Sequence, residues 1–144
     1  MIGIASDHGG YLLKEKIKEE LKEFDFKDFG TNSTESADYP IFAFKLGEAV
    51  ARGEVKLGIV ICTTGIGISI ACNKVKGVRC AKVADIHEAE MSRLHNNANV
   101  VALNSQVENP IEIVRKFLTT DFLNEERHIR RINQIKEYEE TNEY

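Results

Sequence analysis

Cys62 ends the apolar run Leu57-Gly58-Ile59-Val60-Ile61 and opens the turn Thr63-Thr64-Gly65-Ile66-Gly67-Ile68-Ser69. The run reads as a strand buried on both faces and the sequence after it as a helix start, so the thiol is expected at the carboxyl end of a parallel strand. Open α/β sheets bind their ligands there. Backbone N–H groups from Gly65 through Ser69 would then leave the helix start as an anion cradle, with a nucleophile or base beside it. The bland alternative is an inert cysteine filling a core position as a small hydrophobe.

Other reactive side chains fall at element boundaries. Ser6-Asp7-His8-Gly9-Gly10 follows the first apolar run and shares the carboxyl edge with Cys62, so Asp7 and His8 are pocket candidates. Asp7 could instead cap the next helix. Asp38-Tyr39-Pro40 opens a second helix with a cap and an early proline, and Tyr39 either reaches the cleft or is simply half-buried. Arg93-Leu94-His95-Asn96-Asn97-Ala98-Asn99 gathers one titratable ring and three amides just before the fifth strand, although a polar helix C-terminus would look the same. Arg127 and Arg131 are four residues apart and share a helical face, which suits a phosphate dianion or, more blandly, a solvated basic face. Ile129, Ile132 and Ile135 lie on a different side, which could dock on protein.

The elements that must position these groups alternate between short apolar runs and helical-period segments. Strands are expected at Ile2 to Ser6, Phe26 to Phe29, Leu57 to Cys62, Val78 to Val83 and Asn99 to Leu103. Leu12, Leu13, Ile17 and Leu21 give a helix over Tyr11 to Phe24, and Phe44, Leu46, Ala49 and Val50 give one over Pro40 to Arg52. Asp85 with Glu88 reads as a capping box, and Asn109-Pro110 as an N-cap followed by proline at the first helical position. With right-handed crossovers, this is an α/β fold: a three-layer αβα sandwich around a doubly wound, five-stranded, Rossmann-like parallel sheet. At 144 residues the chain fits a single domain over 1–144, with residues 137–144 expected to fray as an acidic tail.

Composition narrows the functional class. A net charge of −4 argues against nucleic acid held by bulk electrostatics. Three cysteines at unrelated spacings fit neither a disulfide framework nor a zinc cluster, and suit a reducing, cytoplasmic setting. No basic n-region precedes the first apolar run, and no run is long enough to cross a membrane, so a soluble, unexported protein without membrane partners is expected.

Taken in order, these segments resemble ribose-5-phosphate isomerase type B, in the family that also contains galactose-6-phosphate isomerase. The resemblance rests on Ser-Asp-His-Gly-Gly at 6–10, Asp-Tyr-Pro at 38–40, Ile-Cys-Thr-Thr-Gly-Ile-Gly-Ile-Ser at 61–69, Asn73-Lys74, Gly77-Val78-Arg79, His-Asn-Asn at 95–97, Asn99-Val100, and Arg127-His128 with Arg131. It implies an aldose–ketose isomerase that works without metal or organic cofactor, as a homodimer or dimer of dimers. By the resemblance, Cys62 is the base that moves a proton between C2 and C1, and Thr64 assists it. The turn Thr63, Gly65, Ile66, Gly67 and Ser69 faces the substrate and receives the oxyanion. His95 opens the sugar ring, Asp7, His8, Tyr39 and Asn96 orient hydroxyls, and Arg127 and Arg131 clamp the phosphate. The C-terminal helix would pack on a partner subunit, with Cys62 and His95 of one site supplied by different chains.

Four positions at three places depart from the family's pattern. Thr63 stands where many members have glycine, Glu125-Glu126 replaces a common Gly-Gly, and Gln106 stands where a further phosphate-binding arginine is usual. The physiological sugar could therefore be ribose 5-phosphate, allose 6-phosphate or galactose 6-phosphate. A nucleotide-binding module is the rival from another class, since Gly65-x-Gly67 follows a strand. Ile70 occupies the third glycine position of that fingerprint and would obstruct close helix–strand packing.

Overall fold

A computed structural model describes residues 1–144. The chain runs β1 (Ile2–Ser6), a short 3-10 turn (His8–Gly10), α1 (Tyr11–Glu20), β2 (Phe26–Asp28), α2 (Tyr39–Ala51), β3 (Leu57–Cys62), α3 (Ile66–Cys72), β4 (Cys80–Lys82), α4 (Ile86–Leu94), β5 (Val100–Asn104), α5 (Pro110–Thr119) and α6 (Glu126–Thr141). The five strands pair in parallel in the order β2-β1-β3-β5-β4. This is the expected doubly wound sheet, with helices on both faces. No helix is long and apolar enough to cross a membrane.

Strand periodicity divides the core in two. Ile4, Ile59, Ile61 and Leu103 point to one face and pack with Leu13 and Ile17 of α1, Ala89 of α4 and Ile113, Val114 and Phe117 of α5. Ala5, Val60, Cys62 and Ala102 point to the other and pack with Leu46, Ala49 and Val50 of α2 and Ile68, Ala71 and Cys72 of α3. Cys62 is therefore oriented toward the α2/α3 layer by its parity in β3. Leu12 and Phe44 are 73% and 41% exposed, so the apolar stripes of α1 and α2 are narrower than their spacing suggested.

Several boundaries move for local reasons. The strand expected at Val78 to Val83 shortens to Cys80–Lys82, because Asn99 Oδ1 accepts from Arg79 N–H at 2.7 Å and Asn99 Nδ2 donates to the Gly77 carbonyl at 2.8 Å. Arg79 N–H thus goes to a side chain, while its carbonyl still accepts from Asn99 and Val100 N–H. β5 correspondingly begins at Val100, one residue after the expected Asn99. α1 stops at Glu20, where Leu21 leaves helical geometry and Phe24 N–H bonds the Leu21 carbonyl in a turn. Asp85 Oδ1 accepts from Glu88 N–H at 2.8 Å as a capping box requires, while the Glu88 carboxylate reaches Ala84 N–H. Asn109 and Asp38 precede α5 and α2 at the cap positions, but neither side chain makes a capping hydrogen bond. Residues 137–141 are helical rather than frayed, and Asn142 closes α6 in the left-handed region with its N–H on Tyr138 O at 2.8 Å.

Outside the site, one charged network ties α1 to β2. Lys14 is fully buried and its ammonium lies 2.5 Å from Asp28 and 2.9 Å from Glu15, with Lys18 also 2.7 Å from Asp28. Burial alone would raise the Asp28 carboxyl; hydrogen bonds from Lys14, Lys18 and Gly30 N–H overcome it and hold Asp28 below the usual carboxylate range. A depressed folded value contributes stability above the unfolded value, near 3.9, and loses it as pH falls through the folded one. Asp28→Asn is expected to destabilise the fold by about 2–4 kcal/mol at pH 7, because it leaves a buried ammonium poorly paired. Urea melts of parent and variant should converge as pH drops below the unfolded value. A gap that persists undiminished in acid would rule out the charge as its origin.

Candidate active site

The carboxyl edge of the sheet collects the first group of candidates. Register places Ser6 beside Ile61 and Cys62 beside Asn104, so the ends of β1, β3 and β5 lie together where the chain's crossovers diverge. Cys62 is buried at the end of β3, and Gly65 N–H donates to its Sγ at 3.2 Å. Gly65 has φ +78, and a Cβ there would lie 2.8 Å from the Leu103 carbonyl carbon, so the turn closes on β5 only with glycine. Thr64 Oγ1 accepts from Ile66 N–H at 3.1 Å and so steadies the turn beneath Cys62. α3 cannot satisfy its own first N–H groups. Cys62 Sγ and Thr64 take those of Gly65 and Ile66, while Gly67 and Ile68 find no loop or side-chain acceptor.

Tyr39 and Asp7 frame this thiol. A Cβ on Gly67 would meet the Tyr39 ring at 2.7 Å, so glycine lets the phenol lie across the first turn of α3. Asp7 both caps and borders the site: Oδ1 accepts from Gly9 and Gly10 N–H at 2.9 and 3.2 Å, and Oδ2 makes no bond within the chain. His8 Nδ1 lies 3.1 Å from Ala37 N and 3.2 Å from Ala37 O, tying the 31–38 loop to the end of β1. Thr63 is exposed beside this turn, and Ser105 N–H reaches the Cys62 and Thr63 carbonyls at 3.1 and 3.3 Å, so the loop after β5 forms the remaining wall. Spacing gave no sign of the Ser105 contact.

The second group lies elsewhere. His95 follows α4 and precedes β5, and so sits at the amino edge of the sheet, as does Asn96. Gly58 to Cys62 alone spans about 13 Å at the usual rise per residue, so one chain keeps His95 well away from Cys62. α6 joins the His95 end: Leu123 N–H bonds Leu94 O at 3.0 Å, and the His95 and His128 rings stack with centroids 4.4 Å apart and planes 15° from parallel. Arg127 and Arg131 are exposed on α6 beside this stack. Arg127 lies 3.3 Å from Glu125, whereas Glu126 pairs with Arg130 at 2.6 Å, so only one of the two acidic departures touches the arginine pair. Burial lowers the His128 imidazole below its ordinary value, and the positive charge of His95, Arg127 and Arg131 acts in the same direction against Glu125. In the sequence His128 is only a member of the Arg127-His128 motif, and its stacking partner lies on another element.

The match to a family model described as Ribose/Galactose Isomerase spans residues 2–135. The chain belongs to the ribose/galactose isomerase family. Membership makes the protein an isomerase. Within the ribose/galactose isomerase family, the chain is similar to the solved ribose-5-phosphate isomerase B of Clostridium thermocellum, with 47% identity, a TM-score of 0.94 and 99% of each chain covered. It is similar to a putative sugar phosphate isomerase of Bacillus subtilis, 45% identical over 147 residues and 98% of each chain. It is also similar to the ribose-5-phosphate isomerase B of Mycoplasma genitalium, solved with bound ribulose-5-phosphate, at 44% identity and a TM-score of 0.91 over 97% of this chain and 96% of that one.

Proposed function

We propose that this chain interconverts ribose 5-phosphate and ribulose 5-phosphate through an enediolate, with Cys62 as the base and His95 opening the sugar ring. The observation that carries the reading is the Cys62 thiol at the switch point of the sheet, bordered by the free N–H groups of Gly67 and Ile68. The Mycoplasma genitalium relative, solved with ribulose-5-phosphate, supports the substrate. Cys62 as thiolate takes the C2 proton, the developing charge on O1 meets the α3 N–H groups, and the proton returns at C1. Asp7, His8, Tyr39 and Asn96 would hold sugar hydroxyls.

His95 serves a different step. Ribose 5-phosphate is mostly a closed furanose, and opening it moves a proton from the anomeric hydroxyl to the ring oxygen, a task suited to imidazole near neutral pH. Because His95 and Cys62 occupy opposite edges of one chain, a single site holding both needs a second copy. Exposed apolar side chains give that copy a surface. Ile41, Phe44, Ile66 and Ile70 of α2 and α3 are uncovered, as are Ile129 and Ile135 of α6, while Ile132 is buried in its own chain. These side chains are between 37% and 57% exposed, so covering each contributes roughly half of the about 1.5–3 kcal/mol of full burial. A two-fold dimer that covers them does so on both chains, a gain comparable to an association cost of about 4–15 kcal/mol. The reading places the enzyme in the cytoplasm, with no metal or organic cofactor.

Arg127 and Arg131 would clamp the phosphate, with Arg127 exchanging Glu125 for substrate. Replacing either by alanine is expected to raise KM for the sugar phosphate by about 10–10²-fold, since the lost contact is charge-assisted. Ribose itself, without the phosphate, should be affected far less. Equal losses for both sugars would show that these arginines serve only the fold.

Allose 6-phosphate or galactose 6-phosphate is the second reading, favoured by Gln106, which stands exposed at the carboxyl edge where the family usually has arginine. A turnover screen of ribose 5-phosphate, allose 6-phosphate and galactose 6-phosphate with a chelator present separates the readings. Ribose 5-phosphate should give the highest kcat/KM. Preference for a hexose phosphate would install the second reading, and no turnover of any of the three would end both.

A further inference from the structure

The His95 ring makes no hydrogen bond within the chain, so neither nitrogen is committed and nothing polar fixes the plane of the imidazole. A group that exchanges protons with a sugar needs free nitrogens, but a freely turning ring would waste its orientation. The only aromatic contact restraining it is the stack on His128. His128 is itself fixed: it is 7% exposed, Arg127 Nε–H is 3.4 Å from its Nε2, and the Glu125 carboxylate is 3.8 Å from the same nitrogen. Arginine Nε can only donate, so the nitrogen facing it keeps its lone pair and the ring proton sits on Nδ1. The groups around the pair are then His95 at the end of α4, Glu125 before α6, and Arg127 and Arg131 on it, while the Arg93 guanidinium is tied to Thr120, Asn97 and Ala98. Burial, with the guanidinium groups of Arg127 and Arg131 nearby and one exposed carboxylate opposing them, lowers the His128 imidazole below its ordinary value.

We propose that His128 is a positioning residue for ring opening: its imidazole is the fixed platform that sets the plane of the His95 ring and leaves both His95 nitrogens open to the sugar. The proposal rests on the role assigned above to His95. Ribulose 5-phosphate provides a control, because its C5 oxygen carries the phosphate and it cannot close a furanose. It reaches the enediolate without ring opening, whereas ribose 5-phosphate closes through O4. His128→Ala should therefore lower turnover of ribose 5-phosphate by about 10–10²-fold. Solvent deuterium exchange into C1 of ribulose 5-phosphate should stay within about twofold of the parent. His128→Phe keeps a flat face without ring nitrogens and should restore most of the ribose 5-phosphate rate. His128→Leu fills the volume without the flat face and should behave as alanine does, which keeps the comparison available if the alanine variant does not fold. Equal losses on both sugars, an unaffected alanine variant, or a phenylalanine variant as impaired as leucine would each overturn the platform role. Turnover of neither sugar by the parent protein would instead overturn the isomerase reading itself.

Discussion

Cys62→Ala is expected to fold as the parent does and to lose about 10²–10⁴-fold in kcat on ribose 5-phosphate, the usual range for removing a positioned base. Folding should survive because the substitution deletes one atom from a side chain at the rim of the α2/α3 core, where Ala5, Val60, Ile68 and Ala102 continue the packing. Gly65 N–H loses its acceptor, but the turn retains the Thr64 to Ile66 bond and the contact of Gly65 with β5. Chemistry should fail for both sugars, since ribulose 5-phosphate also requires proton transfer at carbon. Deuterium exchange at C1 would thus disappear together with turnover, in contrast to the His128 variants. Circular dichroism and a urea melt, run beside the two assays, separate lost chemistry from lost fold. Near-normal turnover by a folded variant would remove Cys62 from the mechanism.

The parts of this molecule that sequence exposes most clearly are those decided locally. β1 and β3 match their expected bounds to the residue, because continuous apolar runs ending in Ser6 and Cys62 have few other uses. Gly65 and Gly67 were legible as a turn, though not the reasons glycine is required, which lie in β5 and in Tyr39. Leu12 and Phe44 misled because helical spacing shows a possible stripe but not how wide a face the sheet covers. The acidic C-terminus misled for a similar reason. Its helix is held at Gly77, whose N–H lies 3.2 Å from Glu139, a contact between residues 62 positions apart. The separation of His95 from Cys62 follows from strand direction, which sequence implies only after the β5 register is known. The His95–His128 stack joins α4 to α6 and leaves no local trace.

The central claim is a site shared between two chains, with Cys62 from one and His95 from the other. It is tested most directly by complementation. Cys62→Ser and His95→Ala homodimers each contain two defective sites and should both be nearly inactive on ribose 5-phosphate. A mixed dimer contains one site with both residues intact and one with neither. Equal amounts, dissociated and refolded together, form about half mixed dimers under two-fold symmetry, so activity should recover to roughly a quarter of the parent enzyme. Native mass spectrometry counts the mixed dimers in the same sample. Recovery in proportion to their abundance is the predicted result. Mixed dimers present at the expected level with activity no higher than that of the two separate variants would contradict the shared site.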